Sequence, residues 1–202
     1  MKLVNFNDKE ILKKELDNDG VIAFPTETVF GLGADSSSQK AFNNLVSIKN
    51  RTPDKPFTLM CYSIEQVGEI LYINDIAKKI IDKFMPGSIT LLLKAKENIE
   101  DYLHLNSKYV GVRIPNETKL LDFLKFYGKP LFVPSANKSN EEPAKTVKEV
   151  FDYFDGEIEY CVIGKCNENI PSTIIQVDED DIKLIRKGPI SESEIREVLK
   201  WE

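Results

Sequence analysis

Short apolar runs and stretches with apolar residues at helical spacing alternate along this chain, and that alternation constrains its fold more than any other feature. Val21, Ile22, Ala23 and Phe24 form an uninterrupted apolar run between Gly20 and Pro25, the pattern of a buried strand. Between residues 39 and 48, Ala41, Phe42, Leu45, Val46 and Ile48 share one helical face. The same reasoning predicts helices over 8–16, 64–71, 75–84, 118–127 and 146–154, and strands over 57–61, 88–93, 110–114, 131–133, 160–163, 173–177 and 183–186. Asn7 is the expected cap of the first helix. Pro86-Gly87 stops the helix before it. Ser191, with Glu194 at capping-box spacing, opens a final helix. The expected architecture is α/β, helices packed on a twisted sheet. Strand and helix do not alternate strictly, so the sheet should be mixed. The polar stretch 137–143 reads as a loop. No repeat, linker or low-complexity tract divides the sequence, and residues 1–202 are expected to form a single domain.

Charge and cysteine usage exclude several classes. The formal net charge is -6, from 27 basic and 33 acidic side chains, whereas a general nucleic-acid coat protein is usually basic. Any RNA contact would need a local basic patch. Cys61, Cys161, Cys166 and the single His104 make neither a disulfide framework nor a good zinc set. The N-terminal stretch is too charged for a secretory signal, and no apolar run approaches the roughly 20 residues that span a bilayer. A cytoplasmic protein without a membrane segment is expected.

The polar residues that stand out follow apolar strands, where open α/β sheets commonly bind ligands. In PTETVFGLGAD (25–35), Thr26 and Thr28 offer short hydroxyls, and Gly31 and Gly33 would let backbone approach a ligand. A tight turn with capping threonines explains the same residues. The segment is neither a Walker loop nor a dinucleotide fingerprint. In KNRTPDKPF (49–57), Lys49, Arg51 and Lys55 crowd a helix end, where they either complement the helix dipole or clamp a triphosphate. PGSIT (86–90) precedes or opens another strand. In VGVRIP (110–115), Arg113 points away from Val110, Val112 and Ile114, toward an anionic partner or toward water. LFVPSANKS (131–139) ends a strand in Ser135-Ala136-Asn137, PSTII (171–175) opens one with Ser172 and Thr173, and LIRKG (184–188) ends one at Arg186.

Taken together and in this order, from about Gly20 to Gly188, these motifs resemble the YrdC-like threonylcarbamoyl-adenylate synthases, in their short single-domain form. The resemblance implies an α/β sheet around a basic central cavity. It also implies a nucleotidyltransferase activity: L-threonine, bicarbonate or CO2 and ATP give L-threonylcarbamoyl-AMP and pyrophosphate. The product feeds a downstream tRNA threonylcarbamoyl transferase complex that modifies the adenosine next to the anticodon; direct contact with tRNA is left open. By the resemblance, Thr28, Arg113 and Ser172 contact L-threonine. Lys49, Arg51, Lys55, Ser135, Asn137 and Arg186 bind ATP, and Mg2+ arrives on ATP oxygens rather than in a protein cage. Thr26, Phe30, Met60 and Pro134 would line the pocket. The last three depart from the family pattern, which often has Tyr, His and Thr there; Asn140 departs too, standing where Gly is common. No general base is assigned.

Two other readings remain at this point. One is a carbamoyl-adenylate-forming relative, of the kind found as a domain in hydrogenase-maturation proteins; the acylphosphatase-like and zinc-finger segments of those proteins are not in this sequence. The other is a non-catalytic RNA-binding module, against which stand the acidic charge and the lack of an aromatic RNA platform.

Overall fold

Alternate residues of a strand face opposite sides of its sheet, and here the two sides are covered by different helices. In the computed structural model, which describes residues 1–52 and 56–200, strand β2 (Ile22–Pro25) sends Ile22 and Phe24 to one side and Ala23 to the other. On the first side, Leu12 and Leu16 of α1 (Lys9–Asp17) meet Leu120, Phe123, Leu124 and Tyr127 of α6 (Thr118–Tyr127). The other side carries a larger core. Ala41, Phe42 and Leu45 of α2 (Gln39–Lys49), Val67 of α3 (Ile64–Ile70), and Ala77, Ile80 and Ile81 of α4 (Asp75–Phe84) pack there. Val150 and Phe154 of α7 (Val147–Phe154) and Ile195 of α8 (Glu192–Leu199) join them. Each fully buried side chain of this size contributes about 1.5–3 kcal/mol over leaving it in water, so both layers are held chiefly by apolar burial.

The remaining elements are β1 (Lys2–Val4), β3 (Phe30–Asp35), β4 (Leu59–Met60), β5 (Ile89–Lys94), α5 (Asp101–His104), β6 (Tyr109–Arg113), β7 (Leu131–Phe132), β8 (Tyr160–Val162), β9 (Thr173–Val177) and β10 (Ile182–Arg186). The strands form one sheet in the order β1-β8-β2-β3-β7-β4-β6-β5-β9-β10. It is mixed, as expected: β1–β8, β8–β2, β4–β6 and β5–β9 are parallel, and the other neighbouring pairs are antiparallel.

The structure corrects the sequence reading in four places. Asn7 does not cap α1; Asp8 stands at the cap without a side-chain bond, because its carboxylate accepts from the Asn5 amide instead. The segment FGLGAD is not a loop but strand β3, antiparallel to β2. Gly33 makes room for protein rather than ligand, since a Cβ there would sit 2.5 Å from the Phe24 ring. The edge strand β1 and the single turn α5 were not anticipated; each is too short to show a period. The capping box of Ser191 and Glu194 is present, and a second joins Thr146 to Glu149. Among the described residues no helix is long and apolar enough to cross a membrane.

Candidate functional site

A cavity of about 230 Å³ opens across the middle of the sheet. Its wall comes from the end of α2 and from residues on or flanking β2, β3, β7, β4, β6, β5, β9 and β10, an unbroken run of neighbouring strands. Among the described residues that line it there are four cations, Lys49, Arg51, Arg113 and Arg186, and no carboxylate. The expected residues Thr26, Thr28, Phe30, Met60, Pro134, Ser135 and Ser172 line it as well. Asn137 stands behind the wall, and Lys55 lies outside the described residues.

One end of the cavity is built where α2 meets the segment after β7. Helix α2 starts at Ser38, whose hydroxyl accepts from the Ala41 amide, and ends as Asn50 takes a left-handed conformation at φ 48°. Lys49 does not serve its own helix end. That is the work of Lys138, whose Nζ donates to the Ile48 carbonyl at 2.8 Å, and of Ser139, whose N–H and O–H both reach the Lys49 carbonyl. Lys49 Nζ instead crosses to the carbonyls of Ser135 (2.7 Å) and Asn137 (2.8 Å) and to Asn137 Oδ1 (3.2 Å). Its three partners are neutral oxygens. Burial, then the nearby Arg51 and Lys138 cations, lower its pKa to about 8.

Asn137 is fully committed within this corner. Its Oδ1 accepts from Lys49 and from the Ser135 hydroxyl (2.6 Å), and its Nδ2 donates to the carbonyls of Lys138 and Glu141. An asparagine has two donors and one carbonyl oxygen, so its part here is to shape the wall that Ser135 and Lys49 present. Arg51 lies over the Phe57 ring, 4.6 Å from its centroid.

The other end is centred on Arg113, 6% exposed at the end of β6 and opposite Met60 of β4 in register. Its Nε donates to the Gly87 carbonyl (3.1 Å) and its Nη1 to Thr28 Oγ1 (2.9 Å). Thr28 has little freedom left. The Thr26 hydroxyl donates to the Val29 carbonyl, so in the 2.8 Å contact between the two threonine hydroxyls Thr28 must be the donor. Thr26 thus caps the turn, and Thr28 faces the cavity as an acceptor only. A second hydroxyl pair, Thr90 and Ser172 (2.8 Å apart), has the opposite character. Whichever donates to the other, one O–H of the pair remains for the cavity. Arg186 is anchored on the Ser172 carbonyl by Nε (3.1 Å) and Nη2 (2.8 Å), and also reaches Ser172 Oγ (3.2 Å). Burial and the neighbouring Arg113 cation hold the Arg186 pKa below its usual value.

Sequence reasoning missed Thr90, which lay in PGSIT without a role, and Glu27, which lay in plain sight between two singled-out threonines. A glutamate beside a turn normally signals solvent. The only sequence cue was its place between two residues expected to face a ligand. Cys61, Cys161 and Cys166 are all buried, and burial pushes their thiols up to about 12, 12 and 11.

Residues 14–188 match the family model Sua5_yciO_yrdC, described as "Telomere recombination". The chain is 37% identical over 177 residues to the threonylcarbamoyl-AMP synthase of Buchnera aphidicola, covering 85% of this chain and 98% of that one. It is 33% identical over 193 residues to the threonylcarbamoyl-AMP synthase of Wigglesworthia glossinidia brevipalpis, covering 93% and 97%. The solved structure of P. abyssi Sua5 complexed with L-threonine superposes with a TM-score of 0.93 at 27% identity, over 99% of this chain and 61% of that one.

Proposed function

The chain belongs to the Sua5–YciO–YrdC family, and on that footing we propose that it is an L-threonylcarbamoyl-AMP synthase. The observation that carries this reading is a cavity wall whose described residues include four cations and no carboxylate, between a hydroxyl that can only accept and a hydroxyl pair that can still donate. An amino acid offers a carboxylate for Arg113 and the Thr90–Ser172 pair, and N–H or O–H hydrogens for Thr28. A nucleoside triphosphate offers phosphate charge to Lys49, Arg51, Lys55 and Arg186, with the Ser135 corner beneath it. The Sua5 relative that superposes over 99% of this chain was solved with L-threonine, and the two bacterial relatives bear the synthase name.

The neutral amine of threonine forms an N–C bond with the carbon of bicarbonate or CO2; from bicarbonate one water is released, and from CO2 one proton goes to solvent. A carbamate oxygen then attacks the α-phosphorus of ATP, the bond to the β-phosphate oxygen breaks, and pyrophosphate leaves. Three anions meet in this sequence, so the catalytic task is to neutralise and align them. The cations at the two ends do that, and Arg186, within electrostatic reach of Arg113, stands where the two substrates meet. In this reading Mg2+ enters as part of the substrate Mg-ATP, held by phosphate oxygens. The adenylate then passes to a tRNA threonylcarbamoyl transferase.

Pyrophosphate release, measured with each substrate omitted in turn, tests the reading. Release should require L-threonine, bicarbonate and Mg-ATP together. Undiminished release without threonine would reject the synthase, and turnover of carbamoyl phosphate in its place would identify a carbamoyl-adenylate enzyme.

A further inference from the structure

Glu27 is a carboxylate buried as deeply as the arginine it faces; each residue is 6% exposed. Its Oε1 lies 2.7 Å from Arg113 Nη2, yet the N–H is not aligned on it, and both Arg113 Nη2 and Glu27 Oε2 lack a hydrogen bond among the described residues. Glu27 does not line the cavity, whereas Thr26 and Thr28 on either side of it do. It turns backward, behind Arg113. There it is held at two points: Oε1 accepts from the Asn116 amide (2.9 Å), and its backbone carbonyl accepts from Asn167 (3.1 Å) and Glu168 (2.9 Å).

We infer that Glu27 is a positioning residue for threonine recognition: from behind the wall it faces the buried Nη2 of the Arg113 guanidinium and fixes the group so that its second Nη1 N–H faces the amino-acid carboxylate. The inference rests on the proposed threonine site. A guanidinium has five N–H donors in a rigid fork. Gly87 and Thr28 take one each, and the Glu27 carboxylate sets the third corner. Without Glu27, a buried cation would face Arg186 with no counter-charge among the described residues, and a lone buried charge is strongly unfavourable. It would relieve this by turning out of the position that its bonds to the Gly87 carbonyl and Thr28 define.

The sign of the effect distinguishes positioning from simple electrostatics. Removing a negative charge near a carboxylate site would by itself tighten threonine binding; loss of positioning weakens it. Glu27→Gln keeps the size and the acceptor for Asn116 while deleting the charge. The KM for threonine should rise at least about tenfold, the cost of one charge-assisted hydrogen bond, with the KM for ATP unchanged. In a Glu27→Gln, Arg113→Lys double variant, threonine KM should rise no further than in Arg113→Lys alone, because the first change acts through the second residue. Circular dichroism establishes folding. If Glu27→Gln does not fold, Glu27→Asp, which keeps the charge but withdraws the carboxylate by one methylene, should show the same threonine-only loss. Unchanged or tighter threonine binding, equal losses for both substrates, or additive losses in the double variant would overturn the inference. If Arg113→Lys itself leaves threonine KM untouched, the threonine site is misplaced and the proposed function fails at that point, independently of Glu27.

Discussion

Lys49 Nζ lies 2.7 Å from the carbonyl oxygen of Ser135, a residue 86 positions later in the chain, and this contact joins the last turn of α2 to the segment after β7. It gives this end of the cavity a buried ammonium whose pKa burial and neighbouring cations lower to about 8.

This value sets a pH dependence. The ordinary value for lysine is 10.5, and burial together with Arg51 and Lys138 lowers Lys49 to about 8. The free enzyme should therefore lose this charge as pH rises through about 8, and kcat/KM for ATP should fall there, since that ratio reports the free enzyme. Bound triphosphate favours the charged form, so the matching limb in kcat should lie at higher pH. For stability the sign is reversed. Between about 8 and 10.5 the unfolded chain keeps a proton that the fold has released, so this group's destabilising effect is complete below about 8 and fades as pH rises. Rate profiles at saturating and limiting ATP check the first claim. A kcat/KM for ATP that stays flat up to pH 10 would remove Lys49's charge from ATP binding.

How far the sequence disclosed this site is visible in its two ends. Lys49, Arg51, Arg113, Arg186, Ser135 and Ser172 were all legible, the first two as cations at a predicted helix end and the others as polar residues where apolar strands end or begin, which converge on one region. The strand β3 was not, because its glycines read as ligand-facing turn residues. Gly33 is instead glycine because the Phe24 ring occupies the place of its Cβ, a packing reason invisible without β2 beside it. Nor were the bonds of Asn137 legible: its side chain makes four of them inside the corner, to Lys49, Ser135, Lys138 and Glu141, partners that no sequence period brings together. Long-range pairs such as Glu27 with Arg113 have no sequence period at all.

Asp35 illustrates the stabilising side of the fold. It ends β3, away from the cavity, and accepts from Tyr127 Oη (2.8 Å), Lys129 Nζ (2.7 Å) and the N–H and O–H of Ser37 (2.8 and 2.7 Å). Burial pushes its carboxyl up, but the bonds from Lys129, Ser37 and Tyr127 together outweigh burial and hold it below the usual carboxylate range. The resulting stability is present above the unfolded-state value of about 3.9 and is lost as pH falls below it. Asp35→Asn should cost about 1–3 kcal/mol at neutral pH and flatten this part of the acid limb. Urea unfolding at pH 7 and at pH 3 measures both; an equal difference between wild type and variant at the two pH values would contradict the charge-based account.

Gly188 lies against the backbone that carries Ser172. A Cβ at this position would come within 2.3 Å of Thr173 N, 2.5 Å of the Ser172 carbonyl carbon and 2.6 Å of the Pro171 oxygen. These are main-chain atoms and cannot swing aside. Gly188→Ala should cost about 1–3 kcal/mol by overpacking. It should also displace Ser172, which holds Arg186 through its carbonyl and completes the hydroxyl pair with Thr90. Steady-state kinetics should show both substrates bound more weakly. Wild-type KM values in a merely less stable protein would confine Gly188 to packing.

Thr28 offers the sharpest test of how the amino acid is read. Its hydroxyl hydrogen is spent on Thr26 and one lone pair on Arg113 Nη1, so it can only receive a hydrogen from the substrate, an N–H or O–H but never a carboxylate. Thr28→Val is nearly isosteric and removes the acceptor; it strands the Arg113 N–H and the substrate donor together. Leaving buried donors unmet costs about 1–3 kcal/mol each, so the KM for threonine should rise by about tenfold or more. Thr28→Ser keeps the oxygen and should stay close to wild type, with the ATP KM unchanged in both variants. Equal losses in the serine and valine variants would mean that Thr28 acts through its methyl group, and the acceptor role would have to be given up.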